Sequence, residues 1–267
     1  MTGVVTVPIG RRLAAAVVVV ATAAAGAGCS RPADGPAAEA PVPLPPTCPG
    51  GRGTDVTTKR DQQRILVHLP PCYDEHPDVR FPVILLIHGA SADETQWTDI
   101  GMTTEADRLV VDGEIAPSIL VMPDFRDTAA AREAQVVVDR VVPWVDAQYR
   151  TLRDPGHRAV GGISRGGGAA LVAAAMRPDV FGSVAAHSPA ISGNLDQLRD
   201  GLTALGGSIR IDVGADDGLR DSAVRFADSL TAAGIDVELR VDPGGHDRAY
   251  WRAHVDEYLR FTASRWR

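Results

Sequence analysis

The sequence predicts an α/β domain with a mainly parallel central sheet and helices on both faces. Three observations carry this. Short, continuous apolar runs recur from about residue 65 to residue 241. Segments of helical period fall between most of them. The runs are too short for helices and too uniformly apolar for strands with one wet face, so they read as strands covered on both sides. Strands that alternate with helices make parallel crossovers the economical connection.

Taken in order, the strand candidates are 65–69, 83–88, 118–122, 159–163, 183–187, 209–213 and 237–241. The helix candidates are 103–112, 130–149, 165–176, 195–205, 219–233 and 248–263. Ala223, Phe226, Ala227 and Leu230 share one helical face, as do Trp251, Val255, Tyr258 and Leu259, the spacing that seats a helix on a sheet. No internal repeat and no second linker follow residue 50.

Chemistry in such sheets gathers at the carboxyl ends of the strands. After run 159–163 comes Ser164, inside Gly162-Ile163-Ser164-Arg165-Gly166. This G-x-S-x-G arrangement puts a serine on a tight strand-to-helix turn that only side-chain-free neighbours permit, and lifts its hydroxyl clear of both elements. After run 209–213 come Asp216 and Asp217, and after run 237–241 come Gly244, Gly245 and His246. A nucleophile, an acid and a base thus follow three strands in that order. A serine hydroxyl needs a base to take its proton, and histidine titrates near neutrality. An acid must fix the imidazole tautomer. Asp217 is the favoured one because it directly precedes Gly218 and the next helix, and Asp216 is its competitor. The oxyanion needs backbone N–H donors. The candidates are Arg165, at the start of the helix after the serine, and Ala90 or Ser91, in the loop after His88-Gly89. His88 reads as a structural residue ordering that loop, and His187 as a packing residue. His68, His76, His157 and His254 lack ligand-like spacing. Trp97 reads as a pocket wall or as a partly buried loop aromatic. No zinc pattern is present, so neither a metal nor another cofactor is expected.

The amino terminus reads as an export signal over residues 1–28. Arg11 and Arg12 precede an apolar stretch that ends in small residues before Cys29. Cys29 stands where a bacterial lipobox has its lipidated cysteine, although Gly26 replaces the usual leucine. Residues 29–50 form a Pro/Ala-rich tether with too little apolar surface to fold, and residues 51–267 form the α/β domain. Export favours pairing of the remaining cysteines, Cys48 and Cys72, as a disulfide. The formal charge is −7, and loss of Arg11 and Arg12 with the signal would take it to −9. An acidic body without a basic cluster argues against nucleic-acid binding. The expected partner is a small-molecule or cell-envelope ester, with membrane contact only through the lipid anchor. Lys59 is the only lysine among 27 basic side chains, a bias with no functional account.

Residues 65–261 resemble the esterase-D-like branch of the α/β-hydrolases, which includes feruloyl esterases, enterochelin esterases and mycolyltransferases. The matching pieces are Leu69-Pro70-Pro71-Cys72-Tyr73, the run from Pro82 to Gly89, Gly161 to Gly168, Gly214 to Leu219, and Gly244-Gly245-His246 followed by Tyr250-Trp251. The resemblance implies an α/β-hydrolase fold, the triad Ser164, Asp217 and His246, and oxyanion donors at Arg165 and Ala90. Cys72 departs from the family's usual glycine. Arg165 departs from its usual methionine or leucine, and its charge is expected to bias substrate choice. The expected activity is hydrolysis of a carboxylic ester through an acyl-enzyme. The alternatives are a mycolyltransferase-like acyl transfer on the same triad and a non-catalytic binding protein on this scaffold. A peptidase of this fold would carry an additional domain for which the chain has no room.

Overall fold

The computed structural model describes residues 48, 50–263 and 266. The expected signal segment, Cys29 and nearly all of the tether lie outside the described residues. Eight strands form one sheet in the order β1-β2-β4-β3-β5-β6-β7-β8. They are β1 (Thr54–Arg60), β2 (Gln63–Leu69), β3 (Val83–Ile87), β4 (Ile119–Pro123), β5 (Arg158–Ile163), β6 (Ser183–His187), β7 (Ser208–Gly214) and β8 (Val237–Asp242). From β4 to β8 every neighbour pair is parallel, while β1 and β2 join as an antiparallel edge. All seven predicted strands are present.

The eighth strand, β1, had no apolar run to reveal it. Its sequence TDVTTKR is largely exposed and pairs only with β2. The hairpin between them turns at Asp61 and Gln62, both with positive φ (46° and 71°), as the right-handed twist of a two-residue hairpin requires.

Helices α1 (Gln96–Asp99), α2 (Met102–Val111), α8 (Arg248–Ala253) and α9 (Val255–Ala263) cover one face. Helices α3 (Glu133–Val136), α4 (Val142–Gln148), α5 (Arg165–Met176), α6 (Leu195–Thr203) and α7 (Arg220–Ala232) cover the other. The two-residue period of β3 divides its side chains between them. Val83, Leu85 and Ile87 enter the α3–α7 core, and Ile84 and Leu86 enter the α2–α9 core. Each such burial contributes roughly 1.5–3 kcal/mol, which is why the run tolerates no polar residue.

Two predicted helices are broken. The helix expected over 130–149 begins as a 3-10 turn and is interrupted by a π turn at Val137–Val141. The helix expected over 248–263 breaks at His254. Neither break contains a glycine, and Pro143 falls at the start of α4, where proline is tolerated, so the sequence showed no breaker. Trp97 lies in α1, which was not predicted. It is neither a pocket wall nor a partly buried loop residue, because it is fully buried and meets His187 edge-on.

Cys48 and Cys72 are joined, with Cα atoms 5.4 Å apart, and both are buried in the α2–α9 core. The bridge ties the chain entering the domain to the turn after β2. Replacing both cysteines with serine is expected to lower unfolding free energy by about 3 kcal/mol, a typical loss for a loop of this length. Thermal melts of the variant and the parent under non-reducing conditions, with intact mass for the thiol count, measure this.

Candidate active site

The order of the parallel strands reverses at β3. The chain steps from β3 to β4 on one side, then crosses back to β5 on the other. The carboxyl ends of β3 and β5 are therefore neighbours, and a cleft opens at such a switch point. The His88-Gly89 loop leaves one end, and Ser164 stands at the other.

Ser164 has φ 56° and ψ −118°, a left-handed conformation that costs a non-glycine residue on the order of 1–3 kcal/mol. The surroundings hold it there. Its N–H donates to the His187 carbonyl at 2.8 Å, and its carbonyl accepts from Ala190 at 2.9 Å and Gly168 at 3.1 Å. The glycines on either side allow the close packing. A β-carbon on Gly162 would sit 2.2 Å from the Gly166 carbonyl oxygen, and one on Gly166 would sit 2.3 Å from that of Ile87. No side chain fits at either position.

His246 Nε2 lies 2.9 Å from Ser164 Oγ, and its Nδ1 lies 2.8 Å from Asp217 Oδ2. A carboxylate can only accept, so Nδ1 carries the proton and Nε2 is left bare toward the serine hydroxyl. The Asp217 carboxylate is fully buried, and its Oδ1 accepts the Leu219 N–H at 2.8 Å. Asp216 is exposed and turned away; its N–H donates to the Gly244 carbonyl at 2.9 Å. That bond clasps the end of β7 to the loop bearing His246. A β-carbon on Gly214 would also meet the Gly244 carbonyl at 2.3 Å. Trp251 packs edge-on against the His246 ring, centroids 5.1 Å apart, and its Nε1 donates to Ser188 Oγ. The structure therefore brings Ser164, Asp217 and His246 into one hydrogen-bonded line.

The loop carrying Ala90 is held from below. His88 is completely buried; its Nδ1–H donates to the Gly89 carbonyl, and its Nε2 accepts the Phe125 N–H, both at 2.7 Å. Burial pushes its pKa down, which keeps the ring in the neutral form this bonding needs. Gly89 N–H donates to Gln96 Oε1 at 2.7 Å. Ala90 is exposed, and among the described residues neither its N–H nor that of Arg165 has a hydrogen-bond acceptor. Unpartnered backbone donors are what a developing oxyanion requires.

Several of these residues were invisible in the sequence. Gln96 acts through a contact made in space and belongs to no motif, and Trp251, part of a matching piece, gave no sign there that it would pack on His246. Arg165 was expected to bias substrate choice by its charge. Its Nε lies 2.9 Å from Oε1 of Glu133, a fully buried carboxylate at the start of α3, and its side chain is 23% exposed. His187, read as a packing residue, is 1% exposed; its Nδ1 contacts Asp212 Oδ2 at 2.6 Å, and its ring stacks on Tyr258. His68, unremarkable in sequence, is buried between Asp55 and Asp107, with its two ring nitrogens at 2.7 and 3.0 Å from their carboxylates. The pair of carboxylates outweighs the opposing effect of burial and raises its pKa. It braces β2 against α2, away from the cleft.

Comparison with known proteins places the chain among esterases. The family model described as putative esterase matches residues 57–262. An endo-1,4-beta-xylanase/feruloyl esterase of Xylanibacter ruminicola is 29% identical over 194 residues, which are 67% of this chain. The match spans only 26% of that relative's length. A solved ferulic acid esterase superposes with a TM-score of 0.73 at 24% identity, covering 81% of this chain and all of the other. A fluorophosphonate-binding serine hydrolase of Staphylococcus aureus superposes at 0.69 and 20% identity, covering 80% and 99%. At these identities the structural likeness is one of fold.

Gly166→Ala is expected to cost at least about 2 kcal/mol of stability, because the new methyl meets backbone rather than a movable side chain. Chemical denaturation of the variant beside a Gly113→Ala surface control, where φ is +71°, measures the difference. A smaller loss at Gly166 than at Gly113 would show that the packing there is not limiting.

Proposed function

Because the chain belongs to the putative esterase family, we propose that it is an exported serine esterase that cleaves a carboxylic ester through an acyl-enzyme on Ser164. The observation that carries this reading is the line from Ser164 Oγ through the His246 ring to Asp217, at 2.9 and 2.8 Å. His246 Nε2 takes the hydroxyl proton as Ser164 attacks the ester carbonyl. The tetrahedral oxyanion receives the N–H groups of Arg165 and Ala90. His246 then gives its proton to the leaving alcohol. A water activated by the same nitrogen hydrolyses the acyl-enzyme and returns the proton. Asp217, held by Leu219, keeps the ring in the required tautomer and offsets the imidazolium charge.

The export signal over residues 1–28, lipidation at Cys29 and a tether over 29–50 complete the proposal; the Cys48–Cys72 bridge supports an oxidising compartment. The similarity to a feruloyl esterase makes a hydroxycinnamoyl ester the first substrate to try.

Ser164→Ala is expected to abolish turnover of p-nitrophenyl butyrate and methyl ferulate and to remove labelling by a fluorophosphonate probe, with the melting temperature little changed. Asp217→Asn is expected to lower kcat by several orders of magnitude, since an amide can present its NH₂ to the ring and impose the wrong tautomer. Retained turnover in Ser164→Ala contradicts the reading.

A further inference from the structure

We propose that Glu133 is a positioning residue for the oxyanion hole, acting through the side chain of Arg165 on the backbone N–H that Arg165 presents beside Ser164. This inference rests on the esterase reading above.

The geometry is unusual for a structural ion pair. Glu133 is 0% exposed and Arg165 is 23% exposed. Their closest atoms are 2.9 Å apart, yet neither carboxylate oxygen of Glu133 has an aligned hydrogen bond, and Nε and Nη2 of Arg165 are likewise buried without one. The contact is thus a charge contact without the hydrogen bonds that normally offset desolvation. Replacing such a pair with apolar residues is often neutral or stabilising, and removing one partner costs several kcal/mol. Stability alone is a weak reason for a carboxylate here.

Its location supplies a better one. Arg165 is the first residue of α5 and directly follows the nucleophile. Helix α3, which begins with Glu133, packs on α5. The guanidinium also lies close enough to His88 to depress that ring's pKa, after burial as the larger cause. Its charge thus reaches the ring that holds Gly89, while its own backbone presents the N–H beside Ser164. Fixing the Arg165 side chain fixes the orientation of the first peptide of α5. Oxyanion donors act only when aimed at the position where charge develops, and a shift near 1 Å costs orders of magnitude in rate.

The pair also carries a pH signature. Burial raises the Glu133 pKa to about 7, opposed by Arg165, the single charged group whose field reaches it among the described residues. Arg165 faces it from α5, and His88, at the end of β3, faces Arg165 and stays neutral. Below that pH Glu133 is protonated and Arg165 loses its counter-charge; above it the pair forms. The general base must also lose a proton, so kcat of the parent should rise with pH more steeply than a single ionisation allows.

The test measures kcat and KM per active site, counted by fluorophosphonate labelling, for Glu133→Gln, Arg165→Met and the double variant, across pH 5–9. The expected result is a fall of about tenfold or more in kcat for Glu133→Gln, KM within about twofold, and a kcat profile reduced to one ionisation. The double variant should be no worse than Glu133→Gln, because the two residues act as a unit. Parental kcat and pH profile in Glu133→Gln, or additive losses in the double variant, would overturn the proposal. If Glu133→Gln does not fold, Arg165→Met decides, and parental kcat there overturns it. Ser164-dependent turnover in the parent alongside such a result leaves the esterase reading standing; loss of the Ser164 dependence removes both.

Discussion

The turn at Ser164 is pressed so closely against the end of β3 that the Ile87 and His88 carbonyl oxygens lie 2.3 and 2.5 Å from where a β-carbon on Gly166 would stand. This approach sets the terms for the rest of the site. It places the His88-Gly89 loop beside the turn that carries Ser164. It also holds Ser164 at a positive φ that the residue would not adopt alone, with the His187 and Ala190 backbones supplying the opposing hydrogen bonds. The strain is thus balanced by packing over several elements, as is usual where a backbone is held in a sparsely populated conformation.

Around that turn the buried charges fall into two kinds. Asp217 is buried but satisfied, with one oxygen on His246 and the other on the Leu219 N–H. Its orientation is determined before any substrate arrives. Glu133 is buried and poorly satisfied, facing a guanidinium with no aligned hydrogen bond. In a low-dielectric interior the first arrangement is rigid, and the second responds to its own protonation. One carboxylate lies in the loop after β7 and contacts the loop after β8; the other begins α3 and contacts the first residue of α5.

Legibility in the sequence followed burial. Strands β3 to β6 were readable because their residues are buried on both faces and a short apolar run has few other uses. Edge strand β1 is exposed, so nothing in TDVTTKR had to be apolar, and only its turn residues carry a signal. The break at His254 and the π turn at Val137–Val141 contain no glycine or proline, so nothing in the local sequence marked them. Trp97 was misread because it joins the α2–α9 core and meets His187, contacts remote in sequence.

The sequence by itself determined the α/β layering, the order serine, acid, histidine at three strand ends, and the glycines that a tight turn needs. These are local consequences of periodicity and of backbone sterics, so neighbouring residues suffice to reveal them. Only the tertiary structure decided that Asp217 and not Asp216 reaches the imidazole and that Arg165 turns inward to Glu133. Such contacts join segments tens of residues apart, and their energies depend on distance and desolvation, which a linear pattern does not encode.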